Sequence, residues 1–267
     1  MTRTIGFIGS GNMGRAIISG LLKAKLYQPD EIYAFDISEP VLTQLHANLG
    51  ITIVTSPVQL VETVDTVVIS VKPQVLDQVV QPIKGKFTPN QVIISIAAGV
   101  TLEHLTNQLS DRLKLVRVMP NTPALVGAGM AAIAVNANVT SEEQTSLLTL
   151  FESFGLAKIV PEHLIDAVVG VSGSGPAYVY LFIEALADGA VLEGLSRKDA
   201  YEFAAQTVLG SAKMVLETGR HPGDLKDMVC SPAGTTITGV RVLEDGGLRG
   251  LIMDTVHAVA EKNREMG

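Results

Sequence analysis

The sequence predicts an α/β fold in two parts, a doubly wound domain over residues 1–160 followed by an all-helical half over residues 161–267. Three observations predict it. Short β-rich runs alternate with helical runs up to about residue 160, and strand signals then vanish. A glycine-rich turn, Gly9-Ser10-Gly11-Asn12-Met13-Gly14, joins the first strand to the first helix.

The strand runs are TIGFI (4–8), EIYAF (31–35), TVVISV (66–71), QVIISI (91–96), KLVRVM (114–119) and MAAIAV (130–135). Several are apolar at nearly every position, the pattern of strands covered on both faces. Helical runs fill 13–24, 40–49, 74–83 and 101–109. Strand and helix in alternation imply a parallel sheet. Ser141 with Gln144 fits a capping box that opens a further helix to about residue 153. In the second half, 176–194, 201–218, 225–229, 235–245 and 248–265 read as helices, with Ser196 and Asp199 as a cap. The run 176–194 is apolar on nearly all sides. It fits a subunit interface or the centre of a self-contained bundle. A small helical half could hardly bury it alone, which favours an oligomer.

Apolar residues make up 47% of the 267 and charged residues 18%, which excludes a disordered chain. A net charge of −7 without a basic run argues against nucleic acid or an anionic membrane as partner. The apolar stretch 177–195 carries Glu184, Asp188 and Glu193, which argues against a membrane span. The single cysteine, Cys230, cannot form an internal disulfide, and the first apolar run ends in glycines rather than a cleavage site. Both features lead to the expectation of a cytoplasmic protein.

The glycine turn has the three features that a dinucleotide needs. Gly9 permits the tight turn, Gly11 lets the backbone approach a pyrophosphate, and Gly14 allows close helix–strand packing. Ser10, Asn12 and Met13 complete the loop beside the helix N-terminus, where anions bind. Asp36, 22 residues beyond Gly14, sits where an acid holds the adenosine ribose, which points to NAD over NADP. It could instead cap the helix that starts near Pro40, and Ser38 could still reach a 2′-phosphate, so NADPH and NADH both remain open. Two further loops follow strands: Val71, Lys72 and Pro73, where Lys72 on spacing alone fits a solvated surface charge better than a ligand contact, and then Ala97 and Ala98, whose small side chains let a flat ring approach. The stiff loop at Pro120–Pro123 places Asn121 to meet the nicotinamide end, or simply connects two elements.

The five histidines show no metal spacing and no cysteine cluster exists, so no metal is expected. Cys230 has no evident base partner and reads as a small buried hydrophobe rather than a nucleophile. After it, Ser231-Pro232-Ala233-Gly234-Thr235-Thr236 leads into a helix. Unpaired N–H groups there can grip a carboxylate, and a threonine hydroxyl can hold a ring nitrogen. Taken alone, Thr235 or Thr236 also fits an ordinary helix cap.

Together these segments resemble the Δ1-pyrroline-5-carboxylate reductases. GFIGSGNMG, SVKPQ and VRVMPNTPALVGAG carry the likeness in the first half; GSGPAYVYLFIEALADGAVLEGL and HPGDLKDMVCSPAGTTITGVRVLEDGGLRG carry it more specifically in the second. The resemblance implies a Rossmann coenzyme domain and helical domains interlocked in a homodimer, often further assembled into a decamer. It implies reduction of pyrroline-5-carboxylate to L-proline with NADPH or NADH at the dimer interface. By the same resemblance Ser231, Gly234 and Thr235 bind the substrate carboxylate, Thr236 bonds the ring nitrogen, and Glu162 is an acid near the substrate. Family members often carry glycine where Ala233 stands.

Overall fold

The computed structural model describes residues 4–266 and forms two compact units. One runs to Ser174 and takes in the segment from Ala258; the other is Gly175–His257.

The first unit is built on an eight-stranded sheet. Its elements are β1 (Ile5–Ile8), α1 (Asn12–Lys23), β2 (Ile32–Phe35), α2 (Glu39–Leu49), β3 (Thr52–Ile53), α3 (Pro57–Thr63), β4 (Thr66–Ile69), α4 (Pro73–Val80), β5 (Val92–Ser95), α5 (Leu102–Gln108), β6 (Lys114–Met119), β7 (Gly129–Val135), α6 (Ser141–Glu152), β8 (Gly155–Ile159) and α7 (Ile165–Val168). The strand order is β3-β2-β1-β4-β5-β6-β7-β8. All neighbours are parallel except β6 and β7. β1 and β4 are buried at every position because helices cover both faces. One buried cluster, including Phe7, Ile17, Leu21 and Phe151, packs α1 and α6 on one face. A second, including Ile8, Leu60, Leu76 and Leu105, packs α3, α4 and α5 on the other.

The structure adds three elements to the six strands and five helices expected before residue 160: β3, α3 and β8. β7 runs antiparallel to β6, so the sheet is mixed at that side. The capping box before α6 is Thr140 with Glu143, one residue earlier than Ser141 and Gln144: the Thr140 hydroxyl takes the Glu143 N–H, and Glu143 takes the Thr140 N–H. Residues 161–174 and 258–266 pack with the sheet unit rather than with the helices, because Ile165 and Val169 enter its second buried cluster and Val259 packs against it.

The second unit holds α8 (Gly175–Leu192), α9 (Arg197–Thr218), α10 (Pro222–Val229), α11 (Thr235–Asp245) and the first part of α12 (Leu248–Met266). Ser196 caps α9, its hydroxyl taking the Asp199 N–H at 3.2 Å. Within the unit α8 buries little beyond Gly175 and Ala187. Tyr180, Leu181, Phe182 and Leu192 are exposed, as are Phe203 and Leu216 of α9. Burying each such side chain is worth roughly 1.5–3 kcal/mol, so this surface calls for a covering partner. By length and composition alone, the helical run Glu162–Leu192 could also cross a membrane.

Candidate coenzyme and substrate sites

The strand order reverses between β1 and β4, the place where open α/β sheets take ligands beyond their carboxyl ends. The loops after β1, β2, β4 and β5 leave that edge, and they carry the expected coenzyme residues. Gly9 has φ +93°, and a Cβ on it would run into the Ser70 carbonyl oxygen. A Cβ on Gly14 would lie 3.0 Å from the Gly9 carbonyl and 3.1 Å from the Ser70 hydroxyl, so this glycine lets α1 sit tight on the loop. Gly11 differs: nothing lies within 4 Å of its Cβ position. Asn12 and Met13 open α1, whose first turn holds no acid. The buried Ser10 hydroxyl has no partner. An open cradle of N–H groups with a positive helix end fits a pyrophosphate.

Asp36 ties this loop to its neighbour. Its Oδ2 accepts the Ser10 N–H at 2.7 Å and its Oδ1 accepts the Ser38 N–H at 2.9 Å. The carboxylate thus fixes both the glycine loop and the entry to α2. A cavity of about 530 Å³ in the helical unit is walled by Tyr180, Leu181 and Tyr201; a larger one, about 920 Å³, opens beside Asp36 between Ile37, Leu42, Ile53 and Val54. Val71 leads to Lys72, the exposed N-cap of α4, and Pro73 stands at its first position. After β5, Ala97 is buried, Ala98 half-buried, and the Val100 N–H bonds back to the Ala97 carbonyl at 3.4 Å across Gly99, at φ +77°.

Two expected ligand residues have other partners. Asn121 is buried, its Oδ1 accepting the Met130 N–H at 2.8 Å and its Nδ2 donating to the Ser172 carbonyl at 3.0 Å. Its side chain holds the loop after β6 to the segment before α8. Glu162 pairs with Arg117, whose side chain is 7% exposed, at 3.1 Å. The same Oε1 accepts the Leu102 N–H at 2.7 Å. It is anchored at the N-terminus of α5. Sequence reasoning missed Arg117; the one signal was a cation within the apolar strand KLVRVM.

The substrate candidates lie in the helical unit. Cys230, half-buried, ends α10. The Gly234 N–H donates to the Ser231 carbonyl at 3.0 Å, closing a tight turn with Pro232 second and Ala233 third. Ala233 has φ +57°, the left-handed region that favours glycine. A Cβ on Gly234 would displace the Ser231 hydroxyl and lie 3.1 Å from the Ser231 carbonyl oxygen, so glycine leaves this turn uncrowded. Gly234 is the N-cap of α11 and offers no side-chain cap, so neither Thr235 nor Thr236 serves as one. No acid stands in the first turn. The turn therefore presents unpaired N–H groups and a helix dipole beside the exposed Thr235 and half-buried Thr236.

These are two anion cradles, one suited to a pyrophosphate and one to a small carboxylate. Over 266 residues the chain is 47% identical to the pyrroline-5-carboxylate reductase of Escherichia coli K12, covering 100% of this chain and 99% of that one. The chain belongs to the pyrroline-5-carboxylate reductase family. A profile described as pyrroline-5-carboxylate reductase dimerisation matches residues 162–266. Another, described as NADP oxidoreductase coenzyme F420-dependent, matches residues 4–99. Among solved structures, a pyrroline-5-carboxylate reductase of Coxiella burnetii superposes with a TM-score of 0.94 at 35% identity, covering 100% of this chain and 99% of that one. A Plasmodium falciparum pyrroline carboxylate reductase with NADP bound gives 0.89 at 34%, covering 99% and 98%. Membership of the reductase family makes the chain an oligomer that acts on a small molecule, which accounts for the exposed apolar helices.

Proposed function

We propose that the chain reduces Δ1-pyrroline-5-carboxylate to L-proline with NAD(P)H, the last step of proline synthesis. Full-length identity to the reductases, with the Ser231–Thr236 cradle intact, carries this reading. The bound coenzyme supplies a hydride for the imine carbon. The chain's own residues supply position and electrostatics. The Ser231–Thr235 turn holds the substrate carboxylate without a cationic side chain: Ser231 and Thr235 offer their N–H groups, while Gly234, whose own N–H closes the turn on the Ser231 carbonyl, keeps the approach open. The Thr236 hydroxyl bonds the ring nitrogen and orients the C=N bond. An imine nitrogen can be protonated near neutral pH, and the resulting iminium accepts hydride readily, so little further acid–base help is needed.

Gly9 to Gly14 take the pyrophosphate, Asp36 the adenosine ribose, and Val71–Pro73 with Ala97 and Ala98 the remaining coenzyme. The Asp36 carboxylate repels a 2′-phosphate and biases the enzyme toward NADH. The helical unit dimerises through the apolar faces of α8 and α9, and dimers can assemble into a decamer. Burial in that interface, rather than a bilayer, accommodates α8 with its Glu184 and Asp188, in a cytoplasmic enzyme.

The test is steady-state turnover with pyrroline-5-carboxylate, a six-membered cyclic imine acid and a 2-keto acid, each with NADH and NADPH. Fastest turnover of pyrroline-5-carboxylate supports the proposal; coenzyme oxidation with none of the imines overturns it. Asp36→Ser should shift the preference toward NADPH.

A further inference from the structure

We propose that Glu162 and Asp166 are positioning residues for the coenzyme, acting through the loop between β5 and α5. This rests on the coenzyme reading of Ala97 and Ala98 given above. The two carboxylates stand four residues apart, Glu162 on the turn just before α7 and Asp166 within α7. Each fixes a different side of the loop. Glu162 takes the Leu102 N–H at 2.7 Å, and its other partner, Arg117, is the register neighbour of Ser95, the last residue of β5. The loop is thus pinned just after its turn and tied back to the sheet beneath it. Asp166 takes the Asn263 side-chain N–H at 2.7 Å, and Asn263 is buried. That bond seats the end of α12, so that the Met266 carbonyl lies 3.5 Å from the Cβ position of Gly99.

Gly99 needs its left-handed backbone to turn the chain between Ala98 and Val100. With Glu162 on one side and α12 on the other, the loop has one arrangement in which Ala97 and Ala98 present their backbone. Loss of an anchor lets it sample others, and only the competent fraction binds coenzyme. A substrate-binding acid at residue 162 would act on the imine instead, so the two roles separate in the kinetics.

The experiment measures coenzyme Kd by fluorescence titration, and KM for coenzyme and for pyrroline-5-carboxylate, in wild type, Glu162→Ala, Asp166→Ala, Asp166→Asn and Asn263→Ala. The expected result is a rise of about 5- to 20-fold in coenzyme Kd and KM for the three alanine variants, the scale of one lost hydrogen bond to a charged group. The KM for pyrroline-5-carboxylate should stay within about twofold, and Asp166→Asn, which keeps an acceptor, should bind coenzyme nearly as wild type. Should Glu162→Ala fail to fold, Asp166→Ala and Asn263→Ala still decide. The proposal is overturned if the soluble variants bind coenzyme as wild type does, or if only the KM for the imine rises. A wild-type protein that binds no NAD(P)H would instead sink the enzyme assignment itself.

Discussion

Replacing Gly11 with alanine puts a methyl group into open space, since nothing lies within 4 Å of the Cβ position. The local backbone, φ −67° and ψ −169°, suits any residue. Stability should therefore stay within about 0.5 kcal/mol of wild type. In the proposed coenzyme site, the same space is where a pyrophosphate meets the N–H groups that open α1. Pushing it away weakens one or two charge-assisted hydrogen bonds of about 1.5–3 kcal/mol each, so coenzyme affinity should fall about 10- to 100-fold. Gly9→Ala should behave in the opposite way. Its φ of +93° strains an alanine, and the methyl meets the Ser70 backbone, which cannot swing aside. Strain of about 1–2 kcal/mol and overpacking of about 1–3 kcal/mol should lower the melting temperature by roughly 10 °C. Thermal denaturation and coenzyme titration on the two variants check both halves. A Gly11→Ala protein that melts like wild type and binds coenzyme equally well would refute the placement of the pyrophosphate over this loop.

Thr236→Ala should lower kcat/KM for pyrroline-5-carboxylate about 10- to 100-fold without loss of fold, while Thr236→Ser retains most activity; a fully active alanine variant would remove Thr236 from the mechanism. Ala233→Val should destabilise the helical unit by more than about 1 kcal/mol in urea titration, because a β-branched side chain resists φ +57°, whereas Ala233→Gly should be neutral or slightly stabilising. Glu143 gives a pH signature. Burial pushes its carboxyl upward, but hydrogen bonds from Lys114 and Thr140 outweigh that and hold it below its usual range. A depressed folded-state value stabilises the protein above the unfolded value and ceases to do so as pH falls through the folded one. Wild type should therefore out-melt Glu143→Gln at neutral pH, with the gap closing below about pH 4; a gap that widens in acid would contradict the sign.

The strands that the sequence reveals are those whose runs are mostly apolar. KLVRVM marks β6 (Lys114–Met119) despite Lys114 and Arg117, because four of its six residues are apolar. β8, with Lys158 and Leu156 facing outward, and the two-residue β3 had too little pattern to register. The antiparallel direction of β7 was also hidden, since its apolar run suits either direction. In the site, the glycine loop was legible because its requirements are local: a turn, an open approach, a close packing. The partners of Asn121 and Glu162 were not, because they lie 51 and 60 residues away in the chain. Nothing in the sequence near Asn263 announces that it pairs with Asp166, 97 positions earlier.

That last bond has a consequence for the order of assembly during synthesis. The sheet unit begins with the first strand, yet residues 258–266 belong to it and are made after the whole of Gly175–His257. A nascent chain stalled before residue 258 would hold a complete sheet whose β5–α5 turn still lacks its neighbour from α12. The β5–α5 loop is therefore finished late, and, if that loop holds coenzyme as proposed, deletion of the last nine described residues should weaken nucleotide binding.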